Sequence, residues 1–411
     1  MKKILALLLA VVMVLGMVAC ASKTEAPAET TTTEPAAETT TEETKTEEPA
    51  KEEETATEEQ PAEEGVIKKV ALVTDVGTID DESFNQATWQ GVKAYCEANG
   101  IEYTYYQPTE DSTDARCISI DQAIKEGANV VVMPGYLFGG SIVREQEKYP
   151  EVYFIAVDVG AGDLTEDYAT YYDPAKNVVC ATFAEEQAGY LAGYAVVMDG
   201  YTKLGFLGGM AVPAVVRYGY GFVQGADAAA TELGADVSVN YVYGNQFSGD
   251  ADITAYMDTW YANGTEVVFA CGGGIYISAA EAAAKVGGKV IGVDVDQAAI
   301  IDAYGEGMTV TSAMKGLAPT VKAILGELIL NDNWAEYAGK INTLGLVSGT
   351  DVEANYVQIP YESTQWSDTF TKDDYAALVA AMFDGTITVS NNTETEPTVQ
   401  TITVDYQGNI K

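Results

Sequence analysis

Eight short apolar runs punctuate the chain between residues 68 and 314: "KKVALV", "NVVVMP", "VYFIAV", "KLGFLG", "VSVNYVY", "EVVFAC", "KVIGV" and "TVTSAM". Runs this rich in Val and Ile describe strands buried on both faces, the signature of parallel sheets. Helical patterns alternate with them, beginning with a helix that shows Phe84, Ala87, Gly91 and Tyr95 on one face and ends at Gly100. Further helices are predicted over about 114–126, 140–148, 175–198, 213–231, 274–286 and 317–331. Strand and helix in alternation give right-handed βαβ units and an α/β fold. Residues 65–411 exceed what one hydrophobic core supports, so two lobes are expected.

The first 64 residues have a different composition. Residues 1–20, "MKKILALLLAVVMVLGMVAC", carry two lysines, an apolar stretch and small residues before a cysteine, the layout of a secretory signal. "MVAC" is similar to a bacterial lipobox, which makes Cys20 the expected lipidation site and attachment point at the extracytoplasmic face of the cell membrane. Residues 21–64 hold fifteen glutamates, three lysines and no aromatic residue. Such a segment buries too little apolar surface to fold, and a disordered acidic tether is expected. Without the +2 of the signal and the −12 of the tether, the rest keeps −30 of the total −40. A surface so acidic disfavours nucleic acid as a partner.

Catalytic equipment is sparse. The chain has no histidine, which removes Ser-His and Cys-His nucleophiles. The four cysteines after Cys20 (Cys96, Cys117, Cys180 and Cys271) form no CxxC pair, so neither a metal site nor a cofactor is expected, and their disulfide state is open. No GxSxG elbow and no GxxxxGK[ST] loop occurs.

In open α/β sheets ligands lie beyond the carboxyl ends of the strands. There the sequence places Asp75, Pro134-Gly135, Asp158, Gly208-Gly209, Gly244 with Phe247 beyond it, Gly272-Gly273-Gly274, Asp294 and Lys315. Phe84 follows in the first turn of the helix after "TDVGTIDDES". Carboxylates accept from vicinal hydroxyls, aromatic rings sandwich a flat base, and glycines admit close backbone approach. A sugar joined to a planar base fits this set better than an amino acid or a phosphate. Each residue also has a plainer reading: Asp75 or Asp81 as a helix cap, Phe84 as core, the glycines as a tight turn.

"TDVGTIDDESFNQATWQG", "VVMPGYLFGG", "FIAVD", "LGFLGG" with "PAVVRYGYGFVQG", "VVFACGGG", "IGVDVDQ" and "TSAMKG" occur in this order. Together, over about Lys68 to Lys315, they resemble the basic membrane protein family, lipid-anchored substrate-binding components of ABC transporters that include purine nucleoside receptors. The resemblance implies a two-lobed periplasmic-binding-protein fold of the first type, a parallel sheet with flanking helices in each lobe. It implies lobe 1 at about 66–172 and 297–342, and lobe 2 at about 173–296 and 343–411, with three hinge crossovers. It further implies that Asp75 and Asp158 bond the purine or its sugar, that Phe84 stacks on the base, and that Asn85 is a polar contact. Gly272 would line the cleft, Asp294 would hold the ribose hydroxyls and Lys315 would reach the same sugar. The second stacking ring is placed at Phe247, with Tyr243 as the alternative.

The implied partners are a nucleoside and a membrane permease, and the protein is expected to be a monomer. A receptor for another small solute, such as a sugar, feeding a sensor is an alternative. A nucleoside hydrolase is a weaker one. Its calcium-binding aspartate loop, DxDxGxDD, is broken here, since Val73 replaces the first aspartate and an extra residue follows Gly77.

Overall fold

The computed structural model describes residues 67–411. Cys20 and the 21–64 tether lie outside the described residues. Strands β1 (Lys69–Val73), β2 (Glu102–Tyr106), β3 (Val130–Pro134), β4 (Tyr153–Val157) and β5 (Val178–Phe183) build a first sheet. Strands β6 (Lys203–Gly208), β7 (Ser238–Tyr243), β8 (Val267–Cys271), β9 (Lys289–Asp294) and β10 (Thr309–Lys315) build a second. The chain then returns to the first sheet with β11 (Lys340–Leu344) and ends in the second with β12 (Val357–Gln358) and β13 (Thr403–Asn409). The orders are β11-β5-β4-β3-β1-β2 and β12-β10-β9-β8-β6-β7-β13. All neighbours are parallel except β10 and β12.

This is the two-lobed α/β architecture that the apolar runs imply. Central strands such as β3 and β8 are buried at every residue, whereas the edge strands β2 and β11 are half exposed. The chain changes sheet after Phe183, after Lys315 and after Leu344. The resemblance instead divided the lobes at 172/173, 296/297 and 342/343. β5 pairs with β4 and β11 in the first lobe, and β10 pairs with β9 in the second, so backbone hydrogen bonding moves the first two boundaries later.

A second difference has the same origin. Periodicity predicts one helix over 175–198, but strand β5 occupies Val178–Phe183 and the helix begins only at Glu185. "VVCATFAEEQAG" has neither glycine nor proline between the two elements, so the apolar pattern runs on unbroken. Edge strands β2, β11 and β13 and the helices Ala251–Ala262 and Lys372–Phe383 also go unannounced by the apolar runs. The other helices fall within about two residues of expectation, and the 317–331 stretch turns from α-helical to π-helical at Ile324.

One helix pair frames the site. Helices Glu185–Met198 and Pro213–Leu233 touch backbone to backbone through Gly189, Gly193, Gly221 and Gly225. A Cβ on Gly189 would lie 2.1 Å from the carbonyl oxygen of Tyr218, and one on Gly221 2.1 Å from that of Glu186. Only small residues allow this approach, and it sets the two helices in one register.

Candidate functional site

Parallel strands send their carboxyl ends to one side, and there the two lobes meet. Asp158 follows β4, Asp294 closes β9 and Lys315 closes β10. Asp158 and Asp294 have φ of 59° and 65°. Aspartate tolerates this left-handed conformation better than most residues, at some strain, and such strain gathers at functional sites.

The loop after β1 is held by its own acids. Asp75 Oδ1 accepts from the Gly77 backbone N–H at 2.8 Å and from Asn85 Nδ2 at 3.0 Å. Asp81 accepts from the backbone N–H groups of Ser83, Asn85 and Gln86 and from Asn85 Nδ2, each at 3.0 Å. Asp81 therefore organises the start of the helix Phe84–Asn99. The buried Asn85 ties Asp81 to Asp75 with its amide nitrogen, and its Oδ1 is buried with no partner. Burial raises the Asp75 pKa, with Asp81 adding to it, against the bonds from Gly77 and Asn85.

Lys315 is the hub of the crevice. Its Nζ donates to Asp158 Oδ2 from the other lobe and lies 3.5 Å from Asp294 Oδ1 and 3.6 Å from Glu185 Oε1. It also stands 4.6 Å from the centre of the Phe84 ring and 5.7 Å from those of Phe183 and Tyr218. Burial opposes its charge, but Asp158, Asp294 and Glu185 more than compensate, and the ammonium is held above the usual lysine range. Burial raises Asp294, although Lys315 and Ser83 pull the other way. Glu185 is raised by burial and by Asp158, against Arg217 and Lys315. Two further bonds cross between the lobes: Ser83 Oγ donates to Asp294 Oδ2 at 2.6 Å, and Gln297 Nε2 to the Glu82 carbonyl at 3.0 Å.

In the second lobe, Phe247 packs on the strand-end glycines. A Cβ on Gly209 would meet its ring at 2.5 Å, and one on Gly272 at 2.9 Å. Gly272 also has a φ of 143°, so both space and backbone demand glycine. Tyr243 lies against Gly208, where a Cβ would meet its ring at 2.6 Å, with that ring edge-on to Tyr241 at 5.4 Å and the two hydroxyls 3.0 Å apart. Two open cavities, of about 580 and 470 Å³, lie at the amino ends of the strands, and none of these crevice residues lines either. The four cysteines within the described residues are free and buried.

Asp75, Phe84, Asn85, Asp158, Asp294 and Lys315 thus come together, with Phe247 and Gly272 at the strand ends of the second lobe. Sequence reasoning passed over Ser83, Glu185, Arg217 and Gln297. The available signal was a charge inside an apolar helical stripe, as in "FAEEQAG" and "VVRYG".

The family model of PnrA-like ABC transporter substrate-binding proteins, Bmp, matches residues 68–373. The chain belongs to this family. Members are substrate-binding proteins that act outside the cytoplasm. A relative named ABC transporter nucleoside-binding protein BmpA, from Lactococcus lactis, is 30% identical over 242 residues, 56% of this chain and 64% of that protein. Basic membrane protein B of Borreliella burgdorferi is 27% identical over 289 residues, 68% of this chain and 79% of that one. The chain spans less than two thirds of the length of the first relatives, 64% of BmpA and 63% of the CD4+ T-cell-stimulating antigen of Listeria monocytogenes. Among solved structures, an ABC transporter solute-binding protein from Conexibacter woesei matches with a TM-score of 0.60 at 22% identity, over 79% of this chain and 99% of that one. One from Aeropyrum pernix matches at 0.59 and 20% identity, over 78% and 87%. Both share the two-lobed fold of this family member.

Proposed function

We propose that this protein captures a purine nucleoside between its lobes and delivers it to the membrane permease of an ABC importer. The observation that carries the reading is the convergence on Lys315 of Asp158 from one lobe and Asp294 from the other, beside the Phe84 ring. Carboxylates of this kind accept from a ribose diol, and the ammonium donates to its oxygens. Phe84 and Phe247 would flank the base, the unpaired Asn85 Oδ1 would accept from its edge, and Asp75 and Gly272 would line the same cleft. The name of the Lactococcus relative supports a nucleoside over other solutes. Lobe closure would expel water from around the ligand and present a surface to the permease. A lipid on Cys20 and the 21–64 tether would hold a monomeric receptor at the extracytoplasmic face of the membrane. No chemical step is assigned to this subunit.

Thermal-shift screening of nucleosides, free bases, sugars and amino acids tests the ligand class, and calorimetry tests the roles. Phe84→Ala should weaken a nucleoside by about 1–3 kcal/mol, one base stack. Asp294→Asn should weaken a riboside by about 1.5–3 kcal/mol and its 2′,3′-dideoxy analogue far less. Equal losses on both ligands would remove Asp294 from the ribose.

A further inference from the structure

Behind Lys315 lies a second ion pair, between Glu185 and Arg217. Arg217 Nε donates to Glu185 Oε2 at 2.6 Å. Glu185 is fully buried, and its other oxygen, Oε1, has no hydrogen-bond partner yet lies 3.6 Å from Lys315 Nζ. Glu185 is therefore a competitor for the lysine. It is about as close as Asp294, at 3.5 Å, and at a greater reach than Asp158, which holds the hydrogen bond. The backbone contacts of the helices that bear Glu185 and Arg217 give this pair little freedom to move.

We infer that Arg217 is a positioning residue: by neutralising Glu185 it leaves Lys315 on Asp158 and Asp294, aimed at the ligand. Around Lys315 stand three carboxylates, Asp158, Glu185 and Asp294, and only one of them is matched from behind by a guanidinium. Without Arg217 the buried Glu185 charge has, among the described residues, one nearby cation left, Lys315. The ammonium would swing toward Glu185 and withdraw from the crevice. Arg217 acts across one intervening side chain, so its loss should read out on the part of the ligand that Lys315 serves.

The test uses Arg217→Met and the double variant Arg217→Met with Glu185→Gln, titrated with inosine and 2′,3′-dideoxyinosine. This ligand arm rests on the nucleoside reading. The single variant should lose about tenfold or more on inosine, the worth of one charge-assisted bond, and much less on the dideoxy analogue. The double variant, with the competitor gone, should return to within about threefold of the wild-type affinity for inosine. Equal loss on both ligands, or a double variant that binds no better than the single one, overturns the inference. If the single variant fails to fold, the double variant leaves no unpaired buried charge, and weak inosine binding by it is the refuting result. A crystal structure of Arg217→Met at pH 8, solved without ligand, decides the matter independently. Lys315 Nζ should move from 3.6 Å to hydrogen-bonding distance of Glu185. A lysine that stays on Asp158, or retreats from Glu185, overturns the inference. If wild-type protein binds no inosine, the nucleoside reading falls while the crystallographic result still stands for or against Arg217.

Discussion

Glu186 should make the protein less stable as the solution turns from acid to alkaline, and Glu186→Gln should abolish that loss. The residue is the second of the helix Glu185–Met198, is 6% exposed, and has an Oε2 without a partner. Its backbone is held against Gly221, so it has no easy route to water. Burial, joined by the neighbouring Glu185 charge, raises its pKa from 4.5 to about 7, against its own backbone N–H and Arg217. An unfolded chain releases this proton near 4.5, whereas the folded protein keeps it until about 7. Between those values the native state binds more protons, so stability falls as pH rises and levels off above about 7. At about 1.4 kcal/mol per pH unit, the gap is worth about 3 kcal/mol. Glutamine copies the neutral acid and does not ionise. Glu186→Gln should therefore match the wild type near pH 4.5 and exceed it by about 3 kcal/mol at pH 8. Urea unfolding followed by circular dichroism at both pH values measures the difference. The raised acids that both proteins share, such as Asp163 at about 6, largely cancel in that comparison. A gap between the two proteins that is the same at both pH values, or a glutamine variant weaker at pH 8, would refute the assignment.

The crevice brings five carboxylates (Asp75, Asp81, Asp158, Glu185 and Asp294) to two cations, Lys315 and Arg217. Inosine 5′-monophosphate should accordingly bind at least about tenfold more weakly than inosine in calorimetry, and equal affinity would contradict the charge reading. Gly189→Ala puts a methyl 2.1 Å from the Tyr218 carbonyl oxygen and should destabilise the fold by about 1–3 kcal/mol in denaturant. A change below about 0.5 kcal/mol would mean that the helix pair does not rely on backbone contact.

Legibility followed the range of the forces involved. Val130–Pro134 and Val267–Cys271 were plain as strands because burial on both faces admits almost nothing but apolar side chains. Asp75, Asp158, Asp294 and Lys315 could be read as a set because each closes such a strand or follows it within two residues, and parallel strands point their carboxyl ends one way. Strand Val178–Phe183 was hidden inside a predicted helix, since no turn residue separates it from Glu185. Edge strands such as Glu102–Tyr106 carry mixed faces and leave no apolar run.

The chain by itself determined an α/β architecture, an inventory without histidine chemistry, and the residues that close each central strand. Only the tertiary structure decided which sheet β5 and β10 join, and that Phe247 lies against Gly209 and Gly272 while Tyr243 lies against Gly208. It also decided that Asn85 spends its amide nitrogen on Asp75 and Asp81, and that Glu185 and Arg217 stand behind Lys315. The physical reason is distance along the chain. Strand periodicity and helix capping are settled among near neighbours, whereas the bond between Lys315 and Asp158 joins residues 157 positions apart. Charges of that separation are neighbours only through the folded arrangement of both sheets.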